Sequence, residues 1–407
     1  MWEFNYGEWT EAYVFLRLLG NGRIYAADRN FEQDENVYID IINVIRYEKE
    51  HILEFKRELE EISAKDNGIV FRVCTCSEFV NKADFLYNAI RNITSVNRKF
   101  SVPEIERYLS DLKFTQPKVP KLPRDVEDTY GKKTDIIITM QDSVDRAVST
   151  TSFSIKSHLG SSSTLFNSSL ASNFLYRIDG CDDEEMNNIN GNLIVSEIGM
   201  FEYIRNNPNL TLEFIGTSDE FNDNLDLIEL TMPKILSCAI LTQIGYYDRA
   251  NSNKTKDIVE KVAQMNPVGV RHPEIWYETK IKEFLYATFS GLTASERWNG
   301  RRTLSGGYID VGANGEMLYY RAISDDVFST FLYEHTFFDR PSRGVNKDKA
   351  RVIAKANLEG RDVTEEELLE ATTKNGRPKP KKGDWGYVFK DDDENYYISV
   401  NFQVRFV

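Results

Sequence analysis

The sequence predicts a mixed α/β protein: a mixed central sheet flanked by helices, with a β-containing C-terminal region. Three stretches carry that prediction. Residues 8–19, EWTEAYVFLRLL, are apolar almost all round and run into GNG at 20–22, the pattern of a buried helix closed by a glycine cap. Residues 134–160, TDIIITMQDSVDRAVSTTSFSIKSHLG, set two apolar runs on either side of a polar, turn-like centre, as a hairpin does. Residues 306–323, GGYIDVGANGEMLYYRAI, place Asn-Gly between two further runs and predict a second hairpin.

The other elements follow in order. Strands are expected at Arg23–Ala27 and Val37–Ile45, and the charge spacing of HILEFKRELEEI predicts a helix over 51–62. IVFRVCT returns to strand. SEFVNKADFLYNAIRN and SVPEIERYLSDL read as helices, with Ser101 and Glu104 at capping-box spacing in the second. QPKVPKLPRD spaces its prolines three apart and predicts an extended connector. The Ser/Asn-rich stretch GSSSTLFNSSLASNFLYRI reads as a loop entering a helix. NGNLIVSEIGM and NLTLEFIGT look like strands, LTMPKILSCAILTQIGYY and WYETKIKEFLYATFSGL like helices. Segment 340–382 is expected as loop and short helix, and NYYISVNFQVRF as a closing strand. A chain of 407 residues exceeds one comfortable core, so two domains are expected, 1–250 and 251–407, with the boundary at NSNKTK.

Apolar content of 41% and aromatic content of 12% supply packed cores. No run of about eighteen apolar residues could span a bilayer. The opening MWEFNYGEWTEAYVF lacks the charged flank and apolar segment of a signal peptide, so a cytoplasmic protein is expected. Cys74, Cys76, Cys181 and Cys238 form no C-x-x-C, and the four histidines lack zinc-ligand spacing. Buried thiols in a reducing compartment are the expectation, with no structural zinc. Net charge is −14, yet Arg340–Lys355 carries six basic residues against Asp348, and Lys374–Lys382 five with no acid. An acidic body with a basic C-terminal third suits a protein that grips a polyanion in one place.

The 134–160 hairpin carries the chemistry. A turn centred at Asp145–Arg146 sets Asp135 across from Lys156, roughly 5 Å apart at the β-carbons. Ser154 and His158 share the lysine's face. A carboxylate, an ammonium and the carbonyl of Ile155 then converge, as metal-assisted phosphodiester hydrolysis requires. Asp135 would hold Mg2+ and Lys156 would orient or deprotonate the attacking water. The spacing alone also fits an ordinary cross-strand ion pair.

The hairpin resembles the PD-(D/E)xK nuclease signature, with Ser154 in S-I-K at the acidic position. Another acid must supply the missing charge, and Glu11, then Glu8, on the first helix are the candidates, with Glu197 third. GEWTEAYVFLRLLGNGRIYAAD, FSIKSHLGSSSTLFNSSLASNFLYRI, GGYIDVGANGEMLYY, FLYEHTFFDRPSR and NFQVRF, in that order, resemble the HpaII family of type II restriction endonucleases. The resemblance implies catalytic Asp135, Lys156 and Ser154, a metal held by Asp135, Ile155 and Glu11, and Mg2+ as cofactor. It implies double-stranded DNA as substrate, a short C/G-rich palindrome such as CCGG as target, a homodimer on DNA, and a cognate DNA methyltransferase as genetic partner. Ser157, Ser163, Asn167, Asn173, Arg340 and Arg343 are the implied DNA-binding residues. Segment 344–383 looks longer than the family's usual connection. A different Mg2+ nuclease and an inactive DNA-binding protein remain the alternatives.

Overall fold

The computed structural model describes residues 1–28, 32–93, 99–160, 163–190, 197–248, 250–300, 306–321, 325–339 and 386–407, with a few positions between 352 and 367. The chain forms two compact units, Met1–Ser163 with Arg301–Phe331, and Thr164–Gly300 with Leu332–Val407. It passes from one to the other three times, and residues 250 and 251 both lie inside the second unit.

The first unit opens with α1 (Tyr6–Asn21), β1 (Arg23–Ala27), β2 (Gln33–Glu48), β3 (His51–Glu58), β4 (Glu61–Asp66) and β5 (Ile69–Thr75). Helices α2 (Cys76–Arg91), α3 (Pro103–Asp111) and α4 (Arg124–Tyr130) lead to the hairpin β6 (Ile136–Asp142) and β7 (Val148–Ser157). The second unit continues with β8 (Thr164–Phe166), β9 (Phe174–Asp179), α5 (Asp183–Asn190), α6 (Glu197–Asn206) and β10 (Thr211–Gly216). Helices α7 (Asp219–Asp226), α8 (Met232–Gln243), α9 (Thr255–Met265) and α10 (Pro273–Phe289) complete its middle. The chain returns to the first unit for β11 (Gly307–Val311) and β12 (Met317–Arg321). It then runs through α11 (Asp325–Glu334) to β13 (Thr336–Asp339), β14 (Val388–Lys390), β15 (Tyr396–Val400) and β16 (Gln403–Phe406).

Among the described residues, nine strands of the first unit make one mixed sheet, ordered β1-β12-β11-β7-β6-β2-β3-β4-β5. Because β1 also pairs with β2, six of them (β1, β12, β11, β7, β6 and β2) close into a ring from which β3, β4 and β5 extend. The β1–β12 and β7–β11 pairs are parallel. The second unit holds two smaller sheets, β10-β9-β15-β14 and β13-β16-β8. A mixed α/β protein with a β-containing C-terminal region is what the sequence predicts.

Helix α1 is the core's centrepiece. Asn5 and Glu8 form a capping box at its start, and Gly22 takes the left-handed conformation (φ 72°) that ends it. A Cβ on Gly20 would stand 2.9 Å from the Val80 nitrogen, so glycine there admits α2. Trp9, Tyr13 and Phe15 are buried, with Phe15 against Phe55, Phe79 and Phe114. Each fully buried side chain of this size contributes roughly 1.5–3 kcal/mol.

Several local expectations are corrected. Residues 51–62 form β3 and the start of β4, not a helix. Leu53, Phe55, Ile62 and Ala64 are buried at two-residue spacing, and Leu59 (φ 51°) turns the chain between the strands. The Ser101–Glu104 box does not form; Val102 caps α3, and Glu104 accepts from Lys82 at 2.9 Å. The Ser/Asn-rich stretch enters β9, not a helix, because Phe174, Tyr176 and Ile178 alternate inward. Of the strand expected over 190–200, residues 191–196 lie outside the described residues, while 197–200 open α6, which buries Met200, Phe201 and Ile204. The closing stretch is two strands in different sheets, broken at Asn401, whose amide donates to Ser169 O and Asn173 Oδ1. All four cysteines are free thiols, and Cys74, Cys76 and Cys238 are buried. Among the described residues, no helix is long and apolar enough to cross a membrane, and no three His, Cys, Asp or Glu side chains cluster to hold a metal.

Candidate active site

The β6–β7 hairpin turns one residue earlier than expected. Asp142 and Ala147 close a loop in which the Asp142 carboxylate accepts from Val144 N–H (2.7 Å) and Arg146 takes φ 60°. The register runs Ile136↔Phe153 to Gln141↔Val148. Asp135, which precedes β6, therefore stands across from Ser154 and not from Lys156. A slip of two residues leaves every side chain on its face, so Ser154 and Lys156 stay on the side of Asp135. Phe153 and Ile155 turn instead to the α1 core.

Asp135 is held by three hydrogen bonds with β7. Its N–H donates to Phe153 O (3.0 Å), and its Oδ2 accepts from Ile155 N–H (2.7 Å) and the Ser154 hydroxyl (3.1 Å). The serine at the acidic position is thus a donor that orients the aspartate. Glu11 comes from the second turn of α1, and its Oε2 accepts from Val119 N–H (2.7 Å) in the proline-rich connector. Glu8 points to other tasks: it completes the cap through Asn5 N–H (2.9 Å) and pairs with Lys118 Nζ (2.7 Å). Glu11 and Asp135 line one cavity of about 310 Å³, to which Lys118, Lys121 and Lys132 also contribute.

Charges in this cluster are displaced towards neutrality. Burial, and then the neighbouring Asp135 charge, push Glu11 well above the usual carboxylate range, against the Val119 N–H and the positive Arg46 and Lys118. Burial also raises Asp135, opposed by Lys156, the Ile155 and Ser154 donors and Lys133. Burial lowers Lys156, opposed by Asp135 and Glu11. Lys133 falls to about 7, through burial and then the Lys156 charge. Glu8 moves the other way: burial opposes, but the Lys118 and Asn5 hydrogen bonds hold it low. Two carboxylates that repel each other across one cavity are a fit for a divalent cation, whose charge would restore both anions.

Lys133, two residues before Asp135, escaped the sequence reading, since it lies in the turn before β6, where strand alternation gives no signal. Asp310 also escaped it. It neighbours Lys156 across the parallel β7–β11 ladder and meets His158 Nε2 at 3.0 Å. That hydrogen bond raises the histidine against the effect of burial.

The residues expected to bind DNA fall in both units. Ser157 lies on the α1 side of β7, its hydroxyl 2.8 Å from that of Thr10. Ser163 ends the first stretch of unit one, half-buried. Asn167 is exposed after β8, and Asn173 accepts from Asn401 at 3.0 Å, both in the second unit. Arg340, Arg343 and the Glu197 side chain lie outside the described residues.

The family model described as HpaII restriction endonuclease matches residues 5–357. The chain belongs to the HpaII restriction endonuclease family. The type II restriction enzyme HpaII of Haemophilus parainfluenzae is 33% identical over 345 residues, covering 83% of this chain and 90% of that protein. No solved structure matches the chain. This HpaII-family protein is a hydrolase, a type II site-specific deoxyribonuclease acting on double-stranded DNA. The family match includes α1 and the whole β6–β7 hairpin, and ends before the closing NFQVRF block.

Proposed function

We propose that this endonuclease cleaves a short, C/G-rich, CCGG-like palindrome with Mg2+ held between Glu11 and Asp135, by PD-(D/E)xK-like chemistry with Ser154 at the acidic position. The observation that carries the reading is the pair of carboxylates from separate elements, lining one cavity and both raised by burial. With the Ile155 carbonyl they offer three oxygens to a hard cation. Mg2+ bound there supplies neutralising charge at the scissile phosphate and acidifies a water.

The chain's own residues do the rest. Ser154 and Ile155 N–H fix the rotamer of Asp135, and Val119 N–H fixes that of Glu11. Lys156, lowered by burial, is able to take or hold a proton at Nζ and so position the attacking water. Lys118, Lys121 and Lys132 present positive charge where a phosphate backbone would pass. Glu8, bound to the cap and Lys118, ranks behind Glu11 as a catalytic acid. Ser163, Asn167, Asn173, Arg340 and Arg343 are assigned to DNA contacts, with catalysis in 1–250 and further recognition in 251–407. A homodimer places one such site on each strand of the palindrome, and a cognate methyltransferase protects the host DNA.

Digestion of a fully sequenced phage DNA with Mg2+, followed by sequencing of the fragment ends, tests this. Discrete ends sharing a CCGG-like motif are expected. Intact DNA, or a smear without a motif, contradicts the reading.

A further inference from the structure

A buried pair on β2 reaches the site without facing the cavity. Arg46 and Glu48 are 5% and 1% exposed and share a 2.7 Å bond between Nε and Oε1. Arg46 Nη2 also donates to the carbonyls of Gln116 (2.9 Å) and Lys118 (2.5 Å), and the guanidinium lies 3.9 Å over the Phe114 ring. The other oxygen of Glu48 accepts from the Thr115 hydroxyl at 2.5 Å. Residues 114–118 are therefore gripped by two side chains of one strand, and the next N–H along the chain, that of Val119, is the donor to Glu11. Pro117 and Pro120 on either side restrict the connector's own torsions. A purely packed ion pair would satisfy itself; this one spends its donors on the main chain of the segment that carries Val119.

We propose that Arg46 and Glu48 are positioning residues for the reaction: they hold the connector so that Val119 N–H fixes the Glu11 carboxylate in the cavity beside Asp135. The inference rests on Glu11 acting as a metal ligand. An outer partner that orients a ligand commonly contributes about 10–100-fold to metal affinity.

The test is calorimetric titration of the DNA-free protein with Mn2+, alongside the Mg2+ dependence of cleavage. The variant is the Arg46→Met/Glu48→Leu double substitution, which removes both buried charges and leaves neither unpaired. The expected result is a folded protein by circular dichroism, Mn2+ affinity weakened about tenfold or more, and a Mg2+ half-saturation raised by a similar factor. Cleavage should recover in part at high Mg2+. Wild-type metal affinity in the folded double variant overturns the inference. If that variant does not fold, Val119→Pro deletes the linking N–H at a half-buried position and meets the same two outcomes. Glu11→Gln separates the layers. Wild-type Mn2+ affinity in Glu11→Gln overturns the metal-ligand reading and this inference with it. Weakened binding there, beside an unchanged double variant, overturns the inference alone.

Discussion

Arg46 with Glu48, and Glu11 with Asp135 and Lys156, are two buried charge clusters of the first unit, and they differ in what surrounds them. In the first, guanidinium and carboxylate face each other at 2.7 Å, and main-chain carbonyls and the Thr115 hydroxyl take up further bonding capacity. These bonds oppose the desolvation of the charges, although burial still pulls the Arg46 guanidinium below its usual range. In the second, both acids are pushed up and the lysine down, so the fold by itself favours their neutral forms. Two acids of that kind lining one cavity are arranged for something that enters it. Burial alone does not separate the two clusters, since it pulls Arg46 down as it does Lys156; the cavity that Glu11 and Asp135 share does.

The comparison can be broken most easily at the lysine. Lys156→Ala should lower cleavage about 1,000-fold while sequence-specific binding in Ca2+ persists. Single-turnover rates and gel shifts read the two separately, and retained cleavage would remove Lys156 from the mechanism. Next comes the contrast between the two glutamates of α1. Glu11→Gln should cost about 100-fold or more in cleavage. Glu8→Gln should cost mainly about 1 kcal/mol of helix capping, with cleavage within about threefold of wild type. Equal losses in the two variants, measured in parallel with melting temperature, would erase the distinction between them. Ser154→Ala deletes one hydrogen bond to Asp135, worth about 1 kcal/mol, and should slow cleavage by about five- to tenfold. A loss as large as that of Lys156→Ala would make the serine a ligand instead of a support.

The smallest effect concerns pH. The folded value of Glu11 is raised above its unfolded value, so its contribution to stability is present at low pH and lost as pH rises through the raised value. Mg2+ must displace a proton from the raised carboxyls, so its affinity strengthens with rising pH across that window. The gain in melting temperature on adding Mg2+ to the DNA-free protein should therefore grow with pH, and Glu11→Gln should flatten that growth. A gain independent of pH in the wild type would contradict the displaced acids.

Much of this architecture was legible in the sequence. Helix α1 announces itself by an apolar run and a terminal glycine, and the β6–β7 and β11–β12 hairpins by alternation around turn residues. The two-residue slip in β6–β7 was not legible, because it depends on the Asp142 carboxylate seizing the turn, which alternation does not register. It did no harm to the site, since faces survive an even slip. The 51–62 stretch misled because its charges suit a helix, while Leu53 and Phe55 obey the sheet that covers them. Arg46 and Glu48 were invisible because their partners lie 70 residues away, and only folding joins them.

The most direct test of the central claim is single-turnover cleavage by Asp135→Asn on a duplex containing the target site, with Mg2+, after binding has been verified in Ca2+. The account predicts a bound duplex and a rate about 1,000-fold or more below wild type. A rate within about tenfold of wild type would mean that the Glu11–Asp135 cavity is not where the phosphodiester bond breaks.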